Sequence, residues 1–188
     1  MYAANAERKR LRSAFSDMET YLKSLAMELY IKRADKSKLQ RIAQMTQKTN
    51  QFNLTTKRYT ELEIDEMLSD STIRMYIGSV RDKFGDNGIT NLCILKINGK
   101  TASIDSFLMS CRVMERKIEY DFLRCIENDL HADGVQKMFA TFIPTQKNIP
   151  SSDFLSTYGF EKDTSVENSY LKEVENRTYS GLLNVIGI

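Results

Sequence analysis

Residues 72–109 read TIRMYIGSVRDKFGDNGITNLCILKINGKTASIDSFLM, and this stretch decides the fold. Ile73, Met75 and Ile77 alternate with Arg74 and Tyr76, the period of two expected of a strand. The apolar run NLCILKI and a further strand from Thr101 to Met109 follow. Asn87-Gly88 and Asn98-Gly99 punctuate the runs. An Asn-Gly pair between apolar segments signals a hairpin, because both central turn positions need positive φ. The expectation is a three-stranded antiparallel meander with tight turns at those two pairs.

Toward the N-terminus, Leu11, Phe15, Met18, Leu22, Leu25 and Leu29 recur every three or four residues, the apolar stripe of an amphipathic helix. Ser16 and Glu19 have capping-box spacing, so the helix is expected to restart there. The spacing predicts helix to about residue 25, then a short strand in MELYIKR, residues 27–33. Ser37 is read as the cap of a second helix carrying Leu39, Ile42, Ala43 and Thr46 on one side. Thr60 and Glu63 form a further capping box, with Ile64, Met67 and Leu68 inward.

Toward the C-terminus, Ile118, Phe122, Ile126 and Leu130 recur every four residues and Asp133-Gly134 stops the helix. MFATFI, residues 138–143, reads as a buried central strand, followed by a short helix from about Ser152 ending at Gly159. SYLKEV reads as the closing strand. Strand, two helices, three antiparallel strands, helix, strand, helix, strand is an α+β domain with a mixed sheet. The division is residues 1–25 as an N-terminal linker helix and 26–188 as the domain.

Composition narrows the function. Hydrophobic residues at 41% and charged residues at 28% are enough to bury a core without disulfides or metals. With 27 basic and 25 acidic residues, no global charge argues for nucleic acid or an anionic membrane. The N-terminal MYAANAERKRLRSAF has charges where a secretory signal needs its apolar core, so the expected compartment is cytoplasmic. Cys93, Cys111 and Cys125 are read as reduced, buried thiols, and the single His131 lacks companions at metal-ligand spacing.

Two local patterns carry a resemblance. CRVMERKIE, residues 111–119, lies between the third meander strand and the long helix. NIPSSDFLSTYGF, residues 148–160, carries Asn148, Phe154, Gly159 and Phe160. In this element order they resemble the motifs of the N-acetyltransferase (GNAT) superfamily. There the first motif reads R/Q-x-x-G-x-G/A and holds the coenzyme A pyrophosphate on free helix amides. Arg112 matches, whereas Glu115 and Lys117 stand at the two glycine positions. In the second motif Leu155 stands where the family has the tyrosine that protonates the departing thiolate, and Tyr158 lies three residues on.

A narrower resemblance rests on QMTQKTNQFNLTTKRYTELEI (44–64), VRDKFGDNG (80–88), IDSFLMSCRVM (104–114) and TFIPTQKN (141–148). These are similar to the C-terminal half of FkbH-like proteins. There a HAD-type domain takes glyceryl from a phosphorylated donor and passes it to an acyl carrier protein. No D-x-D-x-T/V motif occurs in this chain, so the resemblance assigns that chemistry to a HAD-type partner domain, with the N-terminal helix as connector.

The resemblance implies a GNAT-like domain that binds acyl groups or phosphopantetheine and is accessory to transfer onto a carrier protein. An active acyl-CoA-dependent acyltransferase and a structural scaffold for the HAD domain are the alternatives. Arg112, Arg116, Lys117 and Asn148 are the expected contacts to coenzyme A or phosphopantetheine. Gln47, Lys48, Thr49, Asn50, Gln51 and Asn53 are the expected substrate-binding residues, against a plain polar loop bonding its own backbone. Glu119 and Tyr158 are the candidate catalytic residues, although an acid in a first helical turn is also explained by the dipole. No metal, nucleic acid or membrane is expected.

Overall fold

The structure is a computed structural model that describes residues 2–188, with side chains described from residue 6 onward apart from Lys9. The meander forms as β3 (Ile73–Asp82), β4 (Gly85–Asn98) and β5 (Thr101–Met109), paired antiparallel. The second turn is close to expectation: Asn98 pairs with Thr101, leaving Gly99, at φ +56°, and Lys100 as the loop. The first turn is not at Asn87-Gly88. Asp82 pairs with Gly85, so the loop is Lys83-Phe84.

Asp82 accounts for the shift. Its carboxylate accepts from the Phe84 amide at 2.9 Å and is buried between Arg8 and Arg116. A turn organised by a buried aspartate closes early. Asn87-Gly88 then falls in a register break, with Gly88 at φ +66°. Its permissive backbone serves a bulge instead of a hairpin.

Among the described residues the sheet has nine strands. With β1 (Glu28–Arg33), β6 (Lys137–Thr141), β7 (Glu161–Lys162), β8 (Ser169–Glu173) and β9 (Asn184–Gly187), the order is β7-β8-β6-β5-β4-β3-β1-β9. The β1–β9 and β5–β6 pairings are parallel and the rest of that path is antiparallel. The chain therefore ends on β9, beyond the expected closing strand.

Successive meander residues enter two different cores. Met75, Ile77, Leu92 and Ile94 meet Ile42 and Met45 of α3 (Leu39–Lys48) and Ile64 of α4 (Glu61–Ser69). Tyr76, Cys93, Leu95 and Phe107 meet Leu22 and Leu25 from α2 (Met18–Ser24) and its C-cap, together with Phe122 and Ile126 of α5 (Ile118–Ala132). Helices thus cover both faces of the sheet. At Gly78 the missing side chain lets α5 pack closely, since a Cβ there would lie 3.1 Å from the Phe122 ring.

The N-terminal stripe is split between α1 (Tyr2–Arg12) and α2, and the restart is capped by Asp17, not Ser16. A seven-residue helix has no stability alone. Leu22 and Leu25, both fully buried, hold it, each worth ~1.5–3 kcal/mol. Ser37 likewise does not cap α3. Asp35 accepts from the Ser37 amide and caps a 3₁₀ turn that leads into it. The Thr60–Glu63 capping box is present on α4. Among the described residues no helix is long and apolar enough to cross a membrane.

The feature that shapes the site is the divergence of β5 from β6. They pair only over Thr101–Ser103, beyond which both strands need other partners. The chain supplies them as β2 (Phe52–Asn53), which pairs with Met109 and Leu108. Leu54 extends the seam, donating to the Phe107 carbonyl at 3.1 Å and accepting from the Ile143 amide at 2.8 Å. Phe52 and Leu54 are buried, and the Phe52 ring meets Phe154 of α6 (Phe154–Tyr158) at 5.3 Å.

Candidate functional site

Above this inserted strand, at the C-terminal ends of β5 and β6, lies a cavity of about 940 Å³. Arg41 and Lys48 of α3, Arg112 after β5 and Lys147 after β6 line it, together with Thr49, Asn50, Gln51 and Cys111. No carboxylate is among its lining residues, and among the described residues none of the four cations makes an ion pair with one. Burial and the charge of Arg112 both lower the pKa of Arg41. Two guanidiniums are therefore held within range of mutual repulsion, a cost that a bound anion removes.

The loop over this chamber is clamped from below. Arg58 donates to the carbonyls of Thr46 and Thr49 and to Asn50 Oδ1. Tyr59 donates to Asp105 at 2.7 Å. Thr49, Asn50 and Gln51 thus reach the chamber from a fixed backbone. Gln47 and Asn53 do not reach it. Gln47 donates to the Tyr59 carbonyl at 3.0 Å, and the buried Asn53 bonds Thr49 and Thr56.

The remaining expected residues separate by burial. Asn148 is fully buried: its oxygen accepts from Thr145 and its amide donates to the carbonyls of Asn53 and Ile143, each at 2.9 Å. It ties the inserted strand to the β6 side and has no capacity left for a ligand. Arg116 is buried against Asp82 at 2.9 Å and donates to the Arg112 carbonyl. Lys117 is exposed at the start of α5, outside the chamber lining. Tyr158 is buried with its hydroxyl donated to Glu127 at 2.6 Å. Leu155 is also core, at 1% exposure. Cys111 is exposed, unlike the buried Cys93 and Cys125, because the chain leaves the sheet for a 3₁₀ turn there. Arg41 lay in no motif and Lys147 was not singled out within TFIPTQKN; both are recognised by what they face.

A second cavity of about 620 Å³ adjoins the chamber and shares Gln51, Cys111 and Pro150 with it. Phe52, Met109 and Met114 give it an apolar side, and Glu115 and Glu119 are both among its walls. Glu119 is 8% exposed and its Oε2 has no hydrogen-bond partner. Burial raises its pKa to about 7, against a smaller opposing effect of its own backbone amide and of Lys117. A carboxyl near neutrality in a lined cavity is a group available for proton chemistry.

Comparison with solved structures places this arrangement. The E. coli ribosomal-protein-S18-alanine N-acetyltransferase superposes with a TM-score of 0.59 at 8% identity, over 81% of this chain and 97% of that one. A GNAT-family acetyltransferase from Staphylococcus aureus Mu50 gives 0.60 at 10% identity, over 78% and 99%. The fold is that of the GNAT N-acetyltransferases. PaiA N-acetyltransferase from Thermoplasma acidophilum, solved in complex with coenzyme A, gives 0.56 at 14% identity, over 77% and 97%. No family profile matches the sequence, and no curated protein matches it.

Coenzyme A is the cofactor this GNAT fold implies, and the residues at the start of α5 do not fit its pyrophosphate. Glu115 and Lys117 hold φ of +66° and +58°, so the backbone keeps a glycine-type path while carrying side chains. Glu115 brings negative charge to it and Arg116 is spent on Asp82. An extended arm between β5 and β6 meets amides already bonded to Leu54 and its neighbours. The basic chamber, by contrast, suits an anionic group.

Proposed function

We propose that this chain is an accessory GNAT-fold domain that binds a phosphopantetheine-type arm during acyl transfer to a carrier protein, alongside a HAD-type domain as in FkbH-like proteins. The observation that carries this reading is the chamber lined by Arg41, Lys48, Arg112 and Lys147 with no carboxylate to neutralise them. The half-buried Arg41 is held against the charge of Arg112, a repulsion that a bound anion relieves, and the exposed Lys48 and Lys147 add positive charge at the mouth. Ile149, exposed on the rim, offers apolar surface to whatever carries that anion.

A second reading, an acyl-CoA-dependent acyltransferase, is favoured by the fold and by Glu119, whose pKa near 7 suits a general acid or base. Against it, Leu155 has no proton to give and Tyr158 is committed to Glu127. Titration calorimetry separates the two. 4′-Phosphopantetheine, free or on a holo carrier protein, is expected to bind at least tenfold more tightly than coenzyme A, and acetyl-CoA is expected to release negligible thiol. Preference for coenzyme A together with robust thiol release decides for the enzyme.

A further inference from the structure

The chamber and the adjoining well share three wall residues, so a ligand anchored by its phosphate can extend from one into the other. The well ends on a side chain whose situation is unusual. A buried polar atom without a partner costs on the order of 1–3 kcal/mol, and native structures hold few of them. Glu119 Oε2 is such an atom, in a cavity whose apolar walls are Phe52, Met109, Met114 and Pro150 and whose polar walls are Gln51, Cys111 and Glu115. No hydrogen bond reaches it, and Lys117 only partly offsets its burial: the charged and titratable groups around it are Lys117 and Glu115 on the preceding loop, Cys111 in the same cavity wall, and Tyr120 beside it.

Building on the proposed function, we propose that chamber and well form one bipartite site, in which the four cations hold a phosphate ester and Glu119 donates a hydrogen bond to a carbonyl oxygen of the arm. The neutral carboxyl is the form that desolvation favours, and it carries the O–H that a carbonyl acceptor requires. Binding a carbonyl to that form raises the pKa of Glu119 further in the complex. A proton is therefore taken up on binding above pH 7, and affinity falls as pH rises.

The test is calorimetry with 4′-phosphopantetheine at pH 8, in two buffers of different ionisation enthalpy. A phosphate monoester is already dianionic there, its second pKa being about 6. The parent protein is expected to take up a fraction of a proton on binding. Glu119→Gln keeps a donor that needs no proton, so it is expected to bind about fivefold more tightly than the parent at pH 8, without the extra proton. Glu119→Met has no donor and is expected to bind about twofold more weakly than the parent at pH 8, and about tenfold more weakly at pH 6, where one hydrogen bond of about 1.4 kcal/mol is almost fully expressed. Inorganic phosphate is expected to bind all three equally, and Arg112→Ala is expected to weaken both probes. Equal proton uptake by the parent and Glu119→Gln overturns the role of Glu119 even if Glu119→Met fails to fold. If Arg112→Ala still weakens 4′-phosphopantetheine in that case, the binding function stands. No binding of 4′-phosphopantetheine by the parent, free or carrier-borne, overturns both.

Discussion

Helix α5 carries two buried glutamates eight residues apart, and they live in opposite circumstances. Glu127, with no exposure, accepts from the Tyr158 hydroxyl at 2.6 Å and the Glu175 amide at 3.0 Å, and pairs with Lys172 at 2.9 Å. Glu119 is nearly as buried and leaves an oxygen unmatched. The first carboxylate locks α5 to β8, α6 and the segment after β8. The second faces a cavity. Burial alone does not tell a structural acid from one that awaits a ligand; the count of partners does.

The largest effect expected from this contrast is at Glu127. Glu127→Ala leaves the Lys172 ammonium, 5% exposed as a residue, without its buried partner. Breaking such a pair costs ~3–5 kcal/mol. Urea unfolding is expected to show a loss of that size, and a loss under 1 kcal/mol would put the two glutamates in one class.

Glu119→Gln is expected to act in the other direction. With a folded pKa of about 7 against an ordinary 4.5, the folded state binds more protons than the unfolded state between those values. Its contribution to stability is full below about pH 4.5, declines as pH rises through 7, and is flat above. The preference for the neutral form is worth about 3 kcal/mol. Glu119→Gln removes this loss, so its stability relative to the parent is expected to improve by about 2–3 kcal/mol between pH 5 and pH 8. Thermal melts across that range give the answer, and parallel curves for the two proteins would mean that Glu119 is ionised throughout.

The same contrast explains what the sequence made legible. Periodicity reports which side chains face inward, so the meander, α5 and the Thr60–Glu63 box were readable. Of the Asn87-Gly88 pair only Gly88 has the expected positive φ, and it serves a bulge instead of the turn. The residue that sets the turn is Asp82, whose partner Arg8 lies 74 positions away. The inserted strand had a signal in the alternation of Phe52 and Leu54, hidden among the polar residues of QKTNQFNLT. β9 pairs in parallel with β1 across nearly the whole chain, and local pattern does not encode such a partner. For the site, Arg112, Lys48, Thr49, Asn50 and Gln51 came from resemblance and do line the chamber. Arg116, a basic neighbour of the first motif's arginine, and Asn148, which matches the second motif, are consumed by Asp82 and by the inserted strand, because a motif position fixes residue type and not what already occupies the neighbouring space. The missing partner of Glu119 is likewise invisible until the chain is folded.

The smallest of the three effects is at Tyr158, where the contrast touches the chemistry. This tyrosine lies three residues beyond the position at which the resembling family has its proton donor. Its hydroxyl is buried on Glu127, and Arg177 lies 5.9 Å from its ring. Burial first, and then the charge of Glu127, push its pKa far above the ordinary range, so it is a poor acid toward any leaving thiolate. Tyr158→Phe keeps the ring and removes one hydrogen bond to a carboxylate, an interaction worth about 2 kcal/mol. Urea unfolding is expected to show that loss, with calorimetric binding of 4′-phosphopantetheine and any residual thiol release from acetyl-CoA unchanged. A fall in thiol release at full stability would instead move Tyr158 of α6 from the Glu127 cluster into the chemistry.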